Sequence, residues 1–365
     1  MLSMIRNLQA NLFFSCFLLC NLNAEQPLHP SIPVINMQLF ESEETKGQFI
    51  QEFTDALHHI GFCAIINTGF DMETLEEGYC GCKSFFQSSK NQKMELFAPH
   101  LNGQRGVFFT ENAQGNRQID FKEFLHVGRS KNLWPSWMDL QTPLEKLIVH
   151  LDQHSEKLQE ALSLFMGKEA NFLTQMTRDG ACLLRALHYP KNPNPGQFWA
   201  AEHTDIDLFT ILPKATEKGL QVLSKGEWID VRVPKNAFII NCGDMLENMS
   251  NGYFKSSVHR VVSQPNKERY SIVYFVHPKD EDRLDPLPGC IALTGNIQRF
   301  PNANRLEMLA HRLVEIGLAS KELCAFDAQS GYIERIQELV DKGVASPPVL
   351  KTHHVYQKIK EKNQG

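Results

Sequence analysis

The residues most capable of chemistry sit in the second half of the chain. His203 and Asp205 stand two positions apart in His203-Thr204-Asp205, and a second histidine, His259, follows in Lys255-Ser256-Ser257-Val258-His259-Arg260-Val261. On a strand, the first two side chains project to one face, and another strand of the same barrel can bring the second imidazole beside them. Two neutral imidazoles and a carboxylate occupy one face of an octahedral divalent ion and leave adjacent positions open, which suits iron(II) that must take exchangeable ligands and dioxygen. Further on, Arg269-Tyr270-Ser271 opens another strand. Arg269 and Ser271 again share a face, where a guanidinium fork and a hydroxyl suit a ligand carboxylate. A bare His-x-Asp is common by chance, and an isolated strand histidine is usually satisfied locally or faces solvent. The metal reading rests on the triad and the Arg/Ser pair occurring together, in order.

These residues need a rigid frame, and the pattern around them supplies one. After Asp179-Gly180, short apolar runs at 182–189, 209–212, 219–222, 228–231, 237–241 and 271–275 alternate with Pro, Gly, Asn and Asp turns. Many short strands at regular spacing mean a sandwich or barrel, and a jelly roll with a mouth at one end fits. Upstream, Ile32-Pro33-Val34-Ile35-Asn36 reads as a strand, about 43–59 as a helix carrying Phe49, Phe53 and Leu57, and 62–67 as a second strand after Gly61. Another helix runs through Phe85 and Phe86. The segment 101–129 reads as irregular hairpins or loops over a pocket, and Arg105 and Phe109 there, with Phe275 at a strand end, are candidate substrate contacts. A long helix is expected over about 143–176, a shorter one over 304–317, and then a last helix packed on the core. Ala328 to Gly343 resembles part of an ankyrin repeat, but a single partial repeat cannot bury its own face.

Composition narrows the partners. The chain has 365 residues, 42% hydrophobic and 22% charged, with a formal net charge of -5 and pI near 6.3. That is a globular chain with mass enough for a large core and without the basic footprint of a nucleic-acid binder. A small-molecule partner and a monomer are expected. The nine cysteines form no CxxC pair or dense framework, so free thiols in a reducing compartment are the simpler reading. Cys80 and Cys82 point apart on a helix, which argues against a metal or redox pair. Residues 1–24 complicate the localisation. Arg6, an apolar run from Leu12 to Cys20 and small or polar residues near Ala24 read equally as a secretory signal or an apolar N-terminal helix. Leu22 is a poor residue for a cleavage site, a lipoprotein anchor at Cys20 is weakly supported, and no later segment is apolar enough to span a membrane.

With these motifs in hand, the chain resembles the isopenicillin N synthase-like branch of the iron(II)/2-oxoglutarate-dependent dioxygenases. The likeness is carried by Ile32-Pro33-Val34-Ile35, Gly61-Phe62, Asp120-Phe121-Lys122-Glu123, Tyr189-Pro190, His203-Thr204-Asp205, Gly219-Leu220-Gln221-Val222, Asn241-Cys242-Gly243-Asp244, Ser250-Asn251-Gly252, His259-Arg260-Val261 and Arg269-Tyr270-Ser271. It implies a mainly β fold with flanking α: a double-stranded β-helix (distorted jelly roll) with an N-terminal α/β extension and C-terminal helices. The implied division is 30–140 for the N-terminal region, 141–300 for the oxygenase core with its supporting helix, and 301–365 for the C-terminal helices.

The resemblance makes His203, Asp205 and His259 the Fe(II) ligands, with no catalytic residue beyond the metal site. Arg269 and Ser271 become the grip on 2-oxoglutarate, with Tyr189 a further hydrogen-bond donor. The implied cosubstrates are 2-oxoglutarate and O2, with ascorbate as an accessory reductant. The implied reaction is hydroxylation, desaturation or cyclisation of a small organic substrate, with release of succinate and CO2. Two departures stand out. Leu187 replaces an asparagine common two residues before Tyr189, and Asn67-Thr68-Gly69 replaces Asn-His-Gly. The first removes a polar contact and keeps open an oxidase of the same fold that uses no 2-oxoglutarate. A non-catalytic jelly-roll binding protein is the reading from another class.

Overall fold

The computed structural model describes residues 32–111, 119–191, 193–194 and 196–364. The signal-like segment 1–24 lies outside them. Residues 32–365 form one compact unit.

The chain begins with β1 (Val34–Asn36), α1 (Glu43–His59), β2 (Phe62–Ile66), α2 (Met72–Gln87) and α3 (Lys90–Met94). α1 starts where the Ser42 side chain accepts the Glu44 N–H, with Glu43 and Glu44 in its first turn and His58 and His59 in its last, all favourable to the helix dipole. Its buried stripe of Phe49, Phe53, Ala56 and Leu57 faces the core. Gly61 ends it in the left-handed region (φ 75°), donating to the Ala56 carbonyl while its own carbonyl accepts from Cys242 N–H.

There follow β3 (Gly106–Phe108), β4 (Glu123–Gly128), α4 (Gln141–Phe165), α5 (Phe172–Thr177), β5 (Leu183–Tyr189), β6 (Ala200–His203), β7 (Phe209–Ala215), β8 (Leu220–Ser224), β9 (Glu227–Asp230) and β10 (Phe238–Cys242). The remainder is α6 (Asp244–Met249), β11 (His259–Val261), β12 (Arg269–Val276), α7 (Pro288–Leu293), α8 (Arg305–Glu315), α9 (Lys321–Gln329), α10 (Tyr332–Asp341) and α11 (Pro347–Gln364).

Two sheets result, an eight-stranded one ordered β1-β2-β10-β7-β12-β5-β4-β3 and a four-stranded one ordered β6-β11-β8-β9. Their inner faces meet. Val222 of β8 packs with Phe62, Leu212 and Ile239 of the large sheet. Ala200 of β6 and Val261 of β11 pack with Phe124, Leu187 and Tyr189. On the other side of the large sheet, α1, α2 and α4 bury their apolar stripes in the main core. Every residue of β10 is buried, which is why that strand reads as an unbroken Phe-Ile-Ile run rather than an alternation. This is a double-stranded β-helix with flanking helices.

Three details differ from the sequence reading. The helix expected over 143–176 is two, because Gly167 turns left-handed (φ 70°) and the Gly167 and Lys168 N–H groups close back on Leu164 and Ser163 carbonyls. The single last helix is three, α9 to α11, broken at Gly331 (φ 73°) and Gly343 (φ 67°); the α9–α10 pair is where the ankyrin-like residues fall. The segment 101–129 is more regular than expected, since β3 and β4 pair with each other and β4 pairs with β5, widening the large sheet.

Gly61 gives a sharp test of the frame. A Cβ there would lie 2.1 Å from the Lys255 carbonyl oxygen on a backbone that disfavours L side chains. Gly61→Ala is expected to destabilise the protein by more than about 1 kcal/mol, read as a lowered urea midpoint with an unchanged slope. Wild-type stability would mean the left-handed junction is not needed.

Candidate metal centre and adjoining cavities

β6 and β11 place His203 and His259 directly opposite each other, with ring centroids 4.3 Å apart. Asp205 differs from the sequence expectation: β6 ends at His203, and Asp205 sits in the turn that follows rather than on the strand. The turn still delivers its carboxylate. Asp205 Oδ1 is 3.8 Å from His203 Nε2 and 3.8 Å from His259 Nε2, and the three ligand atoms lie within 4.8 Å of one another.

The hydrogen bonds behind these groups select the atoms that face inward. His203 Nδ1–H donates to the Ala201 carbonyl at 2.7 Å and His259 Nδ1–H to the Ser257 carbonyl at 3.1 Å. Each ring therefore presents its Nε2 lone pair to the centre. Asp205 Oδ2 accepts from Thr210 Oγ1 at 2.6 Å and Asn241 Nδ2 at 2.8 Å, leaving Oδ1 for the centre. Burial, then His259, lowers the His203 pKa to about 3. For Asp205, burial pulls upward, but His259, His203 and the two hydrogen bonds outweigh it and bring the carboxyl to about 2. Asp207 goes the other way: burial and then the Asp205 charge push it well up. Its protonated oxygen can then donate to Thr210 Oγ1, 3.0 Å away, which completes a one-way chain toward Asp205. At neutral pH His203 is therefore neutral and Asp205 ionised, so these two donors take a divalent cation without proton loss.

Arg269 and Ser271 stand on β12 across the interior from this triad, in a cavity of about 60 Å³ that His203, Asp205 and His259 also line. Arg269 is only 2% exposed. Its Nε donates to the Glu217 carbonyl and an Nη to Ser271 Oγ, both at 3.0 Å, and the Tyr189 ring lies 5.0 Å from its guanidinium carbon. Among the described residues no carboxylate pairs with it. A buried guanidinium without a counter-anion is costly and awaits one. Leu187 faces Ser271 across the strand pair and makes that wall apolar. The other sequence departure is local: Asn67 adopts a left-handed turn and bonds Asn36.

A second cavity of about 100 Å³ opens beside the triad, and Phe275 lines both. Its floor is a network the sequence reading did not single out. Arg185 sends two Nη groups to Glu111, both at 3.2 Å. Lys122 lies 2.6 Å from Glu111 and 2.7 Å from Asp120, and Asp120 accepts the Ala201 N–H at 2.9 Å, next to the metal-site strand. His126 is pushed well down by burial and then by Arg185, so its Nε2 accepts from Arg185 Nε at 2.6 Å. The opposite wall is apolar and comes from Leu309 and Leu313 of α8 with Ile316 and Leu318 after it. Two of the three expected substrate contacts lie elsewhere. Arg105 turns away to the Ser130 and Gln104 carbonyls, and Phe109 packs near Phe97 and Lys90.

Arg185 was accessible to strand alternation, since Arg185, Leu187 and Tyr189 share a face of β5. Asp120 and Lys122 lay inside a motif used only for likeness.

Two family models match: the 2OG-Fe(II) oxygenase superfamily over residues 180–278, and the N-terminal region of non-haem dioxygenases in morphine synthesis over 32–145. Gibberellin 2-beta-dioxygenase 8 of Arabidopsis thaliana is 31% identical over 255 residues, covering 68% of this chain and 74% of that protein. A feruloyl CoA ortho-hydroxylase of Ipomoea batatas is 30% identical, covering 71% and 74%. The crystal structure of a full-length Neurospora crassa protein in complex with alpha-KG and thymine superposes with a TM-score of 0.70 at 27% identity, covering 78% of this chain and 96% of that one.

Glu111 provides a pH test of the cavity floor. Burial would raise its pKa, but Arg185 and Lys122 outweigh burial and hold it well below the usual range. A depressed folded pKa contributes stability that is complete above the unfolded value, about 4.3, and fades as pH falls through the folded one. Glu111→Gln is expected to lower the urea midpoint at pH 7, and the gap from wild type should narrow on acidification below about pH 4. A gap independent of pH would deny the carboxylate this role.

Proposed function

This chain belongs to the 2OG-Fe(II) oxygenase superfamily, and from that premise we propose that His203, Asp205 and His259 hold its iron and that Arg269 with Ser271 binds the distal carboxylate of 2-oxoglutarate. The protein is an Fe(II)/2-oxoglutarate-dependent oxygenase of a small organic substrate, and no described helix is long and apolar enough to cross a membrane. The observation that carries the site assignment is the pairing of a preset His/Asp/His donor set with a buried guanidinium that has no counter-anion among the described residues, in one cavity. The donor set fits a divalent ion of the iron(II) type, and the cationic end fits a dicarboxylate lying between.

When bound, iron, 2-oxoglutarate and dioxygen together supply oxidation of a substrate C–H group while the cosubstrate becomes succinate and CO2. The protein's part is positioning. Thr210 and Asn241 fix which Asp205 oxygen faces the metal. Ser271 and the Glu217 carbonyl hold Arg269 in place. The Tyr189 ring and Leu187 keep that end of the cavity dry, which strengthens the guanidinium–carboxylate attraction.

We propose further that the substrate occupies the cavity floored by Arg185, Lys122, Glu111 and Asp120. Those four groups balance in formal charge and satisfy one another, so the floor offers hydrogen bonds without a net charge to neutralise. That favours a small neutral molecule with a donor–acceptor edge toward the floor and an apolar face toward Leu309 and Leu313. The thymine found in the Neurospora crassa structure is a molecule of this kind.

Anaerobic titration of Fe(II)-loaded protein with 2-oxoglutarate tests the first proposal through the weak visible charge-transfer band. The band is expected in wild type, absent in His203→Ala, and shifted to more than about tenfold higher 2-oxoglutarate in Arg269→Leu. Wild-type affinity in Arg269→Leu would remove Arg269 from the site. The substrate cavity is tested separately with Leu313→Trp, and with Ile316→Trp as a second filling variant. Each is expected to keep the 2-oxoglutarate band and to lower thymine-stimulated succinate release by at least about tenfold. Failure of thymine and other neutral cyclic amides to stimulate wild type would reject this substrate class and leave the metal assignment standing.

A further inference from the structure

The three donors of the metal centre are not held alike. His203 and His259 stand on paired strands, whereas Asp205 lies in the turn after β6, where no strand ladder fixes its backbone. Thr210 and Asn241 choose which Asp205 oxygen faces inward, but they act only once the turn has brought the carboxylate within reach. The turn itself must be held by other groups.

Two groups hold it, one on each side of Asp205. On the far side, at the start of α6, Asp244 N–H donates to the Asp205 carbonyl at 2.8 Å and Met245 N–H to the Asp207 carbonyl at 3.0 Å, so amides without a partner inside the helix are satisfied by the turn. On the near side is Arg312 of α8, buried and 108 residues along the chain from Thr204. Its Nη1 donates to the Thr204 carbonyl at 2.7 Å, and its Nη2 bonds both Thr204 Oγ1 at 3.3 Å and Asp244 Oδ2. Thr204 Oγ1 also donates to Asp244 Oδ2 at 3.2 Å, which closes a ring of three residues. At the other edge of the guanidinium, Nε donates to Glu315 Oε2 at 3.1 Å. A planar fork bonded to a carboxylate at each edge keeps one orientation.

That orientation reaches the ligand through peptide geometry. The Thr204 carbonyl and the Asp205 N–H belong to one rigid plane, and the Asp205 carbonyl belongs to the next. Arg312 pins the first plane and Asp244 N–H the second, and two pinned planes fix φ and ψ at the Asp205 Cα between them. We propose that Arg312 is a positioning residue of the metal site, presetting Asp205 for the cation by way of the Thr204 carbonyl. This rests on the reading of Asp205 as a metal ligand and extends it beyond the oxygenase-matched residues 180–278, to a C-terminal helix that supplies no ligand itself.

The test titrates manganese(II), a divalent stand-in stable in air, into the metal-free full-length protein and follows the free ion by electron paramagnetic resonance. Wild type is expected to bind one ion and Asp205→Ala to bind it at least about tenfold more weakly. Failure of either removes the metal assignment and this proposal with it. Arg312→Met is expected to weaken binding by at least about tenfold. Arg312→Lys should weaken it less, since it keeps a donor and the charge between Asp244 and Glu315. Met308→Ala deletes a buried side chain one turn earlier on α8. It should lower the urea midpoint of the metal-free protein and leave manganese affinity at the wild-type value. Wild-type affinity in folded Arg312→Met, or an equal loss of affinity in Met308→Ala, overturns the proposal and leaves the metal assignment standing. If Arg312→Met does not fold by circular dichroism, wild-type affinity in Arg312→Lys overturns it instead. Collapse of both Arg312 variants would make Arg312 a residue of the fold alone and overturn it too.

Discussion

Everything at this centre depends on one constraint: polar groups enclosed between two packed sheets must be told which atom to present. Asp205 has two oxygens and each histidine two nitrogens, and a metal site needs one of each aimed at one point. The fold answers by using up the other atom. Backbone carbonyls two residues upstream take both Nδ1 protons, and Thr210 and Asn241 take Asp205 Oδ2. Thr210 and Asn241 come from β7 and β10, strands of the opposite sheet, so the orientation of Asp205 requires the sheets to be correctly packed. Removing a supporting group would leave the three ligands in place and their orientation undetermined.

The interior separates its charges into two kinds of arrangement. At the floor of the cavity beside the triad, Arg185, Lys122, Glu111 and Asp120 pair with one another. At the far end of the neighbouring cavity, Arg269 is held by a carbonyl and a hydroxyl, which fix its position and leave its charge uncompensated. A completed network gives shape and hydrogen bonds; an uncompleted one gives affinity for the ion that completes it. Lys122 and Arg185 line both cavities, so the floor is also the partition between the two spaces.

How much of this was legible in the sequence follows from range. His203, His259, Arg269 and Ser271 were legible as inner-face candidates because strand alternation and order along the chain pick them out, whereas Asp205 reaches the same interior from the turn after β6. The double-stranded β-helix was legible for the same reason, from strand spacing. Arg105 and Phe109 stand outside the linings of both cavities at the triad, because an exposed-looking loop says nothing about which way its side chains turn, and β3 and β4 regularise that loop by pairing. The break at Gly167 was available from a glycine in a helical run but was masked by the strong Leu spacing on either side. Glu111 and Arg312 had no local signal. Their roles arise only when segments about 70 and 110 residues apart are brought together.

The C-terminal helices are the least predictable part of the chain and the part that closes the site. The jelly roll alone would leave the cavity beside the triad open on the side where Leu309, Leu313, Ile316 and Leu318 now stand. α8 does more than cover it. The capping box of Asn304 and Glu307 fixes where the helix starts, and the helix carries Arg312, two turns further on, to the Thr204 carbonyl. A single side chain thus couples the placement of the apolar wall to the turn that holds Asp205.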